Sequence, residues 1–477
     1  MGKLISELSG EPLTGSPILA PSFYQPPAPC PQPKPLGVVR LIAALRRNPL
    51  ECWAKDHFEK PVVVGGLPFA HVVLVNDPRA IERILLGNAA NYRKDSFQRR
   101  VLSAGLGDGL LSAEGDQWRV QRRTVAPVFG RKTIMEFAPD MIAASRALVA
   151  RWRERDGATV DVAAEMTTLT LDVLERTIFS DGLGRAPEEF RLAMRTYFDT
   201  IGRIDPLDVL GVPSFVPRIA HWRLRSTLRF FETAIDDIIE TRRRRLAENN
   251  AATKDILTLL LKALDPETGN RMAEVEVRSN ILTFIAAGHE TTANLLTWSL
   301  FLLSQSPLWR ERVEAEAERE LDGPVAGLAE RLVLTRAVID EAARLYPPIA
   351  AISRVALDAD ELAGAMVKRG SLVVVAPYVL HRHRLLWRNP DEFDPTRFLG
   401  EARGEIDRYS YIPFGAGART CIGSAFALQE ATLVLAAIIK NFRLELAPGE
   451  HVWPMLRITL RPEAGMPMMI TRKRAAA

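Results

Sequence analysis

One cysteine near the C-terminus has neighbours that could do chemistry. Cys421 ends a loop that is entered through Pro413 and contains Gly415 and Gly417, and an apolar helix follows directly. Backbone N–H groups and the positive end of the helix dipole converge at such a position, which favours a thiolate over a thiol. Arg419, two residues earlier, adds a fixed positive charge. A thiolate that is stable at neutral pH is a nucleophile or a metal ligand.

The neighbours of this cysteine distinguish between the two chemistries. The stretch from Tyr411 to Ser424 contains no histidine that could act as the base of a cysteine hydrolase. A dinucleotide-binding loop is excluded, because its third glycine would fall on Thr420. A buried structural cysteine is the plain alternative, but Phe-Gly-x-Gly-x-Arg-x-Cys-x-Gly fixes six positions within ten residues. A flat, glycine-relaxed loop ending in a sulfur suits coordination of a large planar cofactor.

Six residues of this segment resemble the haem-binding loop of the cytochrome P450 haem-thiolate monooxygenases, namely Phe414, Gly415, Gly417, Arg419, Cys421 and Gly423. The resemblance implies heme b (iron protoporphyrin IX) as the cofactor. It also implies that Cys421 is the axial thiolate ligand of the iron and the only bond that the protein makes to the metal. Phe414, Gly415 and Gly423 would then be cofactor-binding residues.

The composition is that of an ordinary globular protein. The chain has 477 residues, of which 47% are hydrophobic and 25% are charged, and its net charge is only +4. A chain of this length exceeds the usual size of one core, so two lobes are expected. The small charge and the lack of a long basic run argue against nucleic acid as a partner.

The cysteine count and the N-terminus bear on location. Three cysteines are too few for a disulfide framework and suit a reducing compartment. No apolar stretch approaches the roughly 18–20 residues of a membrane helix. Glu7 and Glu11 interrupt any signal or transit peptide. The sequence therefore predicts a cytoplasmic protein of bacterial type without a membrane anchor.

The order of segments predicts a proline-rich N-terminal arm over residues 1–35 and a single catalytic domain over residues 36–477. Two strand-like runs flank Gly65-Gly66 and predict a hairpin in a small β-rich lobe near residues 60–76 and 351–380. The resemblance implies the cytochrome P450 fold, mainly α with this small β lobe. In that fold the haem lies between a long central helix and the helix that follows the cysteine loop.

A helix from about Ala273 to Leu303 is apolar on nearly all sides, is roughly 45 Å long at 1.5 Å per residue, and should run through the core. Its middle reads Ala287-Gly-His-Glu-Thr-Thr292. A mid-helix glycine costs about 1 kcal/mol relative to alanine, and a buried glutamate costs more unless it has a partner. Two unfavourable residues so close together in a buried helix indicate a functional site. The Thr291 hydroxyl can bond to the carbonyl of residue 287, and with Gly288 this predicts a local bulge with room for a small ligand.

This segment resembles the oxygen-activation motif of the same family. The resemblance implies that Thr291 and Glu290 are catalytic, with Thr291 as the hydroxyl and Glu290 as the acid that relays protons. It places Ala287 against the cofactor. His289 is expected to pack in the core or to line a channel.

A second group of residues is implied to bind the haem propionates. Trp118 and Arg122 are four apart and share one face of a predicted helix. On its own, that pattern indicates an amphipathic helix with surface arginines. The resemblance implies that Trp118 and Arg122, together with Arg354 and Arg419, bind the propionates, whose charges are too costly to bury unpaired.

A third motif has a structural role by resemblance. Glu341 and Arg344, three apart on a helix, could be an ordinary surface pair. With Arg397 downstream, they resemble the family's Glu–Arg–Arg triad, which locks the loop before the cysteine to its helix.

The implied reaction is monooxygenation, in which two electrons and two protons split dioxygen, one oxygen atom enters a C–H bond and the other leaves as water. The segment after Cys421 is too short for a fused flavin reductase, so a ferredoxin or flavodoxin with its reductase is expected to supply electrons. A peroxygenase that uses hydrogen peroxide and a non-catalytic haem-thiolate sensor are the alternatives. The pair Glu290–Thr291 argues against both, because neither needs a proton relay.

The substrate is expected to be lipophilic, such as a fatty acid or a terpenoid. The segments implied to line its pocket are mostly apolar. They are the mobile loop Phe97–Leu111, the helix residues Phe284–Ala287, the run Pro348–Ile352, with small Ala350 and Ala351, and the lid-like Ile204–Ile219.

A basic face on the cysteine side of the haem is expected to attract an acidic electron donor. His383 is expected to make that surface more basic. The candidate arginines are Arg99, Arg100, Arg122, Arg123, Arg382, Arg384 and Arg388.

Overall fold

The computed structural model describes residues 23–67, 70–95, 107–180, 219–248 and 254–473, together with residues 189, 192, 193 and 196. Some predicted features lie outside these residues. They are the first part of the proline-rich arm, residues 97–106 of the predicted loop with Arg99 and Arg100, and residues 204–218 of the lid-like segment.

Helices form most of the described chain, as predicted. Their bounds are Val38–Arg47 (α1), Lys55–Glu59 (α2), Pro78–Glu82 (α3), Gly115–Val125 (α4), Arg131–Glu136 (α5), Ala138–Arg153 (α6), Val162–Leu174 (α7), Ile219–Ala247 (α8), Ile256–Lys262 (α9), Glu274–Ser304 (α10), Pro307–Glu320 (α11), Leu328–Arg331 (α12), Val333–Leu345 (α13), Pro377–Leu380 (α14), Gly400–Glu405 (α15) and Ser424–Asn441 (α16). Short 3-10 turns include Ala89–Asn91 and Gly417–Arg419, and Arg83–Gly87 is a π turn.

The strands are short and form small sheets. Their bounds are Val62–Leu67 (β1), Ala70–Val75 (β2), Tyr92–Arg93 (β3), Thr159–Asp161 (β4), Ile352–Ala356 (β5), Asp360–Leu362 (β6), Ala365–Val367 (β7), Leu372–Val375 (β8), Phe442–Leu446 (β9), Pro454–Leu456 (β10), Leu460–Pro462 (β11) and Pro467–Arg472 (β12). The largest sheet has the order β1-β2-β8-β5-β3. Strands β1 and β2 form the predicted antiparallel hairpin, and β2 pairs with β8 in parallel. The small β lobe of the predicted fold is thus present, and β5 brings Arg354 into it.

Helix α10 is the centre of the core. It packs against α7, α13 and α16, and its residues are buried on most sides, as the apolar pattern requires. Near its C-terminal end, the indole ring of Trp298 stacks on Tyr346 with ring centroids 3.9 Å apart. The Trp298 indole N–H also donates to the carbonyl oxygen of Leu460, 3.2 Å away. The C-terminal part of the helix is therefore held by Tyr346, just after α13, and by strand β11.

The bulge predicted at Gly288 is not formed. Helix α10 is α-helical without interruption from Glu274 to Ser304, although the Thr291 hydroxyl does donate to the Ala287 carbonyl oxygen at 2.7 Å. A carbonyl oxygen has two lone pairs, so it can accept a hydroxyl in addition to its helical N–H group. A Cβ at Gly288 would lie 3.3 Å from Leu174 Cδ2 of α7, so a larger residue there would require the Leu174 side chain to shift.

Glu341 and Arg344 form a fully buried ion pair rather than a surface pair. Two hydrogen bonds join them, from Arg344 Nε to Glu341 Oε2 at 2.6 Å and from Arg344 Nη2 to Glu341 Oε1 at 2.7 Å. The Asp394 N–H donates to Glu341 Oε1 at 2.8 Å, and Arg397 Nε lies 3.6 Å from the same oxygen. The remaining Arg344 donors bind the carbonyl oxygens of His381, Pro390 and Glu392. The triad therefore ties α13 to the segment before the cysteine loop.

Two buried contacts continue this tie into the loop itself. Burial, with the nearby charges of Arg344 and Arg382, lowers the pKa of His381 to about 3, so its ring is neutral. The neutral His381 Nε2 accepts the Ile412 N–H at 2.9 Å. The Tyr411 hydroxyl donates to the Asp340 carbonyl oxygen at 2.8 Å.

The prediction of a basic surface at residues 382–384 is wrong for Arg382 and His383. Arg382 is buried, with its guanidinium carbon 4.3 Å from the centre of the Tyr378 ring. His383 is buried too, and its Nε2 lies 3.1 Å from the Lys60 carbonyl oxygen. Burial lowers the pKa of His383, so it adds no charge at neutral pH. Tyrosine rings contact Arg382 in the interior, and the carbonyl oxygen of Lys60, just after α2, contacts His383.

The described part of the proline-rich arm lies on the folded chain. The Tyr346 hydroxyl donates to the Pro27 carbonyl oxygen at 2.8 Å, and the Phe393 N–H donates to the Tyr24 carbonyl oxygen at 2.9 Å. Residues from Tyr24 onward are thus fixed by the same elements that anchor the cysteine loop. Within the described ranges, no helix has the length and apolar character needed to cross a bilayer.

Candidate active site

The cysteine loop is shaped by a close approach of two backbones. Gly417 has φ +70°, and a Cβ there would lie 2.0 Å from the Leu85 carbonyl oxygen, so no other residue fits. Gly415 also has φ +70°. The Cys421 N–H donates to the Phe414 carbonyl oxygen at 2.8 Å and closes the loop. Helix α16 begins three residues later, at Ser424.

The charge nearest the sulfur differs from the predicted one. Cys421 keeps an exposed surface, but burial of its other sides raises the pKa of the thiol above its usual value, and the Gly423 N–H and the Arg122 guanidinium only partly offset this rise. Arg419, expected to supply this charge, points elsewhere. Arg122, on α4, is the cation whose charge lowers the pKa of the thiol. The loop therefore offers one N–H group and one cation to a thiolate.

Arg419 belongs to a cluster of cations beside the loop. Its guanidinium carbon lies 4.4 Å from the centre of the Trp118 ring, and its Nη2 lies 3.0 Å from Glu114 Oε1. Lys94 Nζ lies 3.6 Å from the same oxygen and donates to the Leu111 carbonyl. Arg354 approaches from β5, where its Nη1 donates to the Ser353 carbonyl at 2.8 Å. Three elements far apart in sequence thus converge.

Burial and the proximity of like charges both lower the pKa values of cations in this cluster. Burial, then the charge of Arg419, lowers the pKa of Lys94 to about 8. Burial lowers the pKa of Arg354 as well, and Arg419 adds to the effect. Glu114 supplies the carboxylate shared by Lys94 and Arg419. A partly buried cluster with excess positive charge suits an anionic group such as a carboxylate pair.

Helix α10 has one face of small side chains that keep accessible surface. Ala287 is exposed although Ile285 and Ala286 are buried, and Thr291 lies one turn further on the same face. His289 is buried, as predicted, and its carbonyl oxygen accepts the Thr170 hydroxyl at 3.0 Å. The exposed small face, the thiol and the cation cluster together are the features that a haem requires: room, an axial sulfur and partners for its propionates.

Glu290 points to a different neighbour from Thr291. Thr459, just before β11, donates its hydroxyl to Glu290 Oε1 at 2.8 Å. Asn294 Nδ2 donates to the same hydroxyl oxygen at 3.0 Å, and Arg461 Nη1 lies 3.9 Å from Glu290 Oε1. The acid on the central helix is therefore partnered by the β10–β11 hairpin.

Two groups of site residues were not predicted. Lys94 and Glu114 join the cation cluster, and Asn294 and Thr459 join the acid. None of the four stands in a motif with the residues it contacts, and Lys94 is separated from Arg419 by more than half of the chain. Lys94 directly follows strand β3, and its own neighbourhood in the sequence carries no signal for this role.

The predicted pocket-lining segments are partly in place. A Cβ on Gly109 would lie 2.5 Å from Thr283 Oγ1, and the Leu110 N–H donates to Asn280 Oδ1 at 2.9 Å. Residues 107–113 are therefore packed on α10 and do not form the mobile loop that was predicted. In the run 348–352, Ala350 is buried in the core, whereas Ala351 and Ile352 keep accessible surface.

Several known proteins are similar to this chain in sequence. A family model described as Cytochrome P450 matches residues 30–467. Cyclooctatin synthase of Streptomyces melanosporofaciens is 34% identical over 429 residues, which cover 89% of this chain and 92% of the relative. Cyclooctat-9-en-7-ol 5-monooxygenase of the same species is 33% identical, covering 85% and 87%. Pentalenene oxygenase of Streptomyces avermitilis is 31% identical, covering 80% and 84%.

A solved structure shares the fold. The crystal structure of the cytochrome P450DA heme domain superimposes with a TM-score of 0.78 at 27% identity, covering 87% of this chain and 90% of that one. The family match spans the cysteine loop, the central helix and both lobes. This chain therefore belongs to the cytochrome P450 family, with its mainly helical fold, its haem cofactor and its monooxygenase chemistry.

Proposed function

We propose that this monooxygenase hydroxylates a lipophilic, terpenoid-like substrate and that Cys421 is the axial ligand of its haem iron. The observation that carries the ligand assignment is the loop itself, which holds Cys421 between the Gly423 N–H and the Arg122 guanidinium. Both groups favour the thiolate, the form that binds iron, against the burial that raises the pKa of the thiol. The haem, when bound, supplies the oxygen chemistry, and the protein's side chains bind it and deliver protons.

The cation cluster supports the assignment of the propionate ligands. Arg419, Arg354 and Trp118 were expected there, and Lys94 joins them. Two propionates would neutralise charges that otherwise repel one another in a half-buried space. For Arg122, the structure supports a second role, since its charge acts on Cys421. Phe414, Gly415, Gly423 and Ala287 complete the proposed cofactor contacts.

Thr291 and Glu290 support proton delivery. The Thr291 hydroxyl donates to the Ala287 carbonyl, so its oxygen can still accept a hydrogen bond on the exposed face of α10. Glu290, with 12% of its side chain exposed, links that helix to the half-exposed Arg461. A proton taken up at this side can pass from the acid to the hydroxyl. A peroxygenase or a sensor would not need these groups.

The names of the relatives support the substrate class. One relative is a monooxygenase of cyclooctat-9-en-7-ol and another is an oxygenase of pentalenene, which are an alkenol and a hydrocarbon by name. The described lining of this chain is compatible with such molecules, since Ala287, Ala351 and Ile352 are apolar and accessible. A terpenoid therefore has more support than a fatty acid.

A separate ferredoxin or flavodoxin with its reductase is proposed as the electron donor. The supporting cations are fewer than expected, because Arg382 is buried, Arg384 pairs with Asp391 at 2.7 Å, and Arg123 pairs with Asp265 at 2.9 Å. Arg388 is exposed. A cytoplasmic location stays a prediction, which rests on the small number of cysteines.

Replacing Cys421 by serine should abolish the red-shifted thiolate Soret band of the reduced, carbon-monoxide-bound protein, because an alcohol is a far weaker donor to iron. Cys30→Ser is the matched control, since Cys30 is a free, exposed cysteine in the N-terminal arm. The control should keep the band. A Cys421→Ser protein with the same band would contradict the ligand assignment.

Replacing Thr291 by alanine should leave haem binding and reductant consumption intact but divert electrons to hydrogen peroxide. We expect product per electron pair to fall roughly tenfold, the factor that corresponds to one lost hydrogen bond. Thr291→Ser keeps the hydroxyl and should retain most of the coupling. Undiminished coupling in Thr291→Ala would remove Thr291 from proton delivery.

Reduction by an acidic electron donor should slow as ionic strength rises, because salt screens steering between opposite charges. Charge reversal by Arg388→Glu should slow it further at low salt. Arg46→Glu on α1 is the control for a change in net charge alone, since Arg46 is also exposed. Rates that are flat with salt would contradict electrostatic docking.

Titration of the ferric enzyme should show a strong shift to high spin with terpenoid alkenes and alkenols, because a fitting substrate displaces the water on iron. Fatty acids of similar size should give a weaker shift, and small polar aromatics the weakest. A strong response only to small polar aromatics would contradict a lipophilic substrate.

A further inference from the structure

The β10–β11 hairpin reaches the central helix at its one acidic residue near Thr291. Thr459 Oγ1 donates to Glu290 Oε1 at 2.8 Å, and Asn294 Nδ2 donates to Thr459 Oγ1 at 3.0 Å. Glu290 and Asn294 are four residues apart, so they lie on the same face of α10. The hydroxyl of Thr459 is thus clamped between two residues of one helix turn.

The direction of these hydrogen bonds is fixed by chemistry. A threonine hydroxyl has a single hydrogen, and an amide nitrogen can only donate. Because Asn294 donates to the hydroxyl oxygen, the hydrogen of Thr459 is left for the carboxylate of Glu290. Hydrogen bonds to a charged acceptor are about twice as strong as neutral ones. Asn294 therefore orients Thr459, and Thr459 holds Glu290.

The hairpin itself is held from both ends. At β10, Asn48 Nδ2 donates to the Pro454 carbonyl oxygen at 2.8 Å. At β11, Trp298 Nε1 donates to the Leu460 carbonyl oxygen at 3.2 Å, and the Leu460 N–H donates to the Pro348 carbonyl oxygen at 2.9 Å. The position of Thr459 does not depend on its bond to Glu290. A donor on such a fixed element can orient a flexible side chain.

The neighbours of Glu290 differ in burial and in charge, and this difference determines how its carboxylate would respond to the loss of Thr459. Thr459 and Asn294 are buried, whereas 37% of the Arg461 side chain is exposed. Arg461 Nη1 lies 3.9 Å from Glu290 Oε1, which is an ion-pair distance but too long for a hydrogen bond. If Thr459 lost its hydroxyl, Glu290 Oε1 would lose this donor, and the carboxylate could move toward the more exposed arginine. Thr291 lies about 100° round the helix from Glu290, so such a movement would change the direction from which the acid faces it.

We propose that Thr459 and Asn294 are positioning residues for Glu290, which set the orientation from which its carboxylate delivers protons toward Thr291. The inference rests on the proposed role of Glu290 as the proton relay. It assigns to the β10–β11 hairpin a part in coupling electrons to product. Neither residue touches the reacting atoms, so both act through the acid.

The test compares five variants for haem content, for the ratio of product to hydrogen peroxide, and for the carboxylate infrared band of Glu290. The band is identified as the difference between the parent protein and Glu290→Gln. The other variants are Thr459→Val, Thr459→Ser, the double variant Thr459→Val with Glu290→Gln, and the control Thr297→Val. Thr297 is a buried threonine of α10 whose hydroxyl bonds to the Ala293 carbonyl at 2.7 Å.

We expect Thr459→Val to lower the product-to-peroxide ratio roughly tenfold, the factor of a lost hydrogen bond to a charged group. The same variant should shift the carboxylate band, because one oxygen of Glu290 loses its donor. Thr459→Ser should restore both the ratio and the band position. The double variant should be no worse than Glu290→Gln alone, since both changes act through one group. Thr297→Val should resemble the parent protein.

Other outcomes overturn the inference in distinguishable ways. If Glu290→Gln lowers the ratio but Thr459→Val does not, the relay stands and the positioning role fails. If Glu290→Gln leaves the ratio unchanged, the relay fails, and the positioning role fails with it. If Thr459→Ser is as impaired as Thr459→Val, or if Thr297→Val is equally impaired, the effect is one of packing. An unshifted carboxylate band in Thr459→Val would show that the hydroxyl does not hold Glu290.

Discussion

The buried ion pair of Glu341 and Arg344 is the interaction on which the cysteine side of the structure depends. Neither side chain has any exposed surface, and removing one partner from such a pair costs roughly 3–5 kcal/mol, because the other is left as an uncompensated buried charge. Arg344 also donates hydrogen bonds to three carbonyl oxygens, those of His381, Pro390 and Glu392. An irregular segment that could not bury its own carbonyl groups is thereby allowed to pack in the core.

That packed segment sets the course of the cysteine loop. His381 is neutral because it is buried beside two arginines, and only a neutral ring can accept the Ile412 N–H. The loop then passes so close to Leu85 that Gly417 is the one residue type that fits. The position of the Cys421 sulfur is therefore decided by contacts on both sides of the loop, from α13 and from the π turn after α3. The ligand role proposed for Cys421 needs such support, since a sulfur held loosely would not fix the position of a bound metal.

Residues within one motif could be predicted from the sequence, whereas contacts between distant segments could not. The role of the glycines and the cysteine of the loop could be predicted because all of them lie within one short motif. Lys94 and Thr459 join their sites only through folding, and nothing in their own neighbourhoods indicates it. Arg382 was expected on a basic face because the resemblance places its segment on the cysteine side of the haem, but the rings of Tyr346 and Tyr378 contact its guanidinium in the interior. The bulge predicted at Gly288 is absent because the Ala287 carbonyl oxygen accepts the Thr291 hydroxyl while the α-helix continues without interruption.

Glu290 and Thr291 of the central helix are held by partners of different kinds, and this difference matters for the proton delivery that we propose for them. Thr291 is bound to its own helix, through the Ala287 carbonyl, so its position follows that of α10. Glu290 is bound across to Thr459, on a hairpin from the far end of the chain. A local bond persists whenever the helix is formed, while a bond between elements depends on their relative placement. Thr291 is consequently a fixed feature of the site, and the orientation of the acid is set by the packing of the hairpin against the helix.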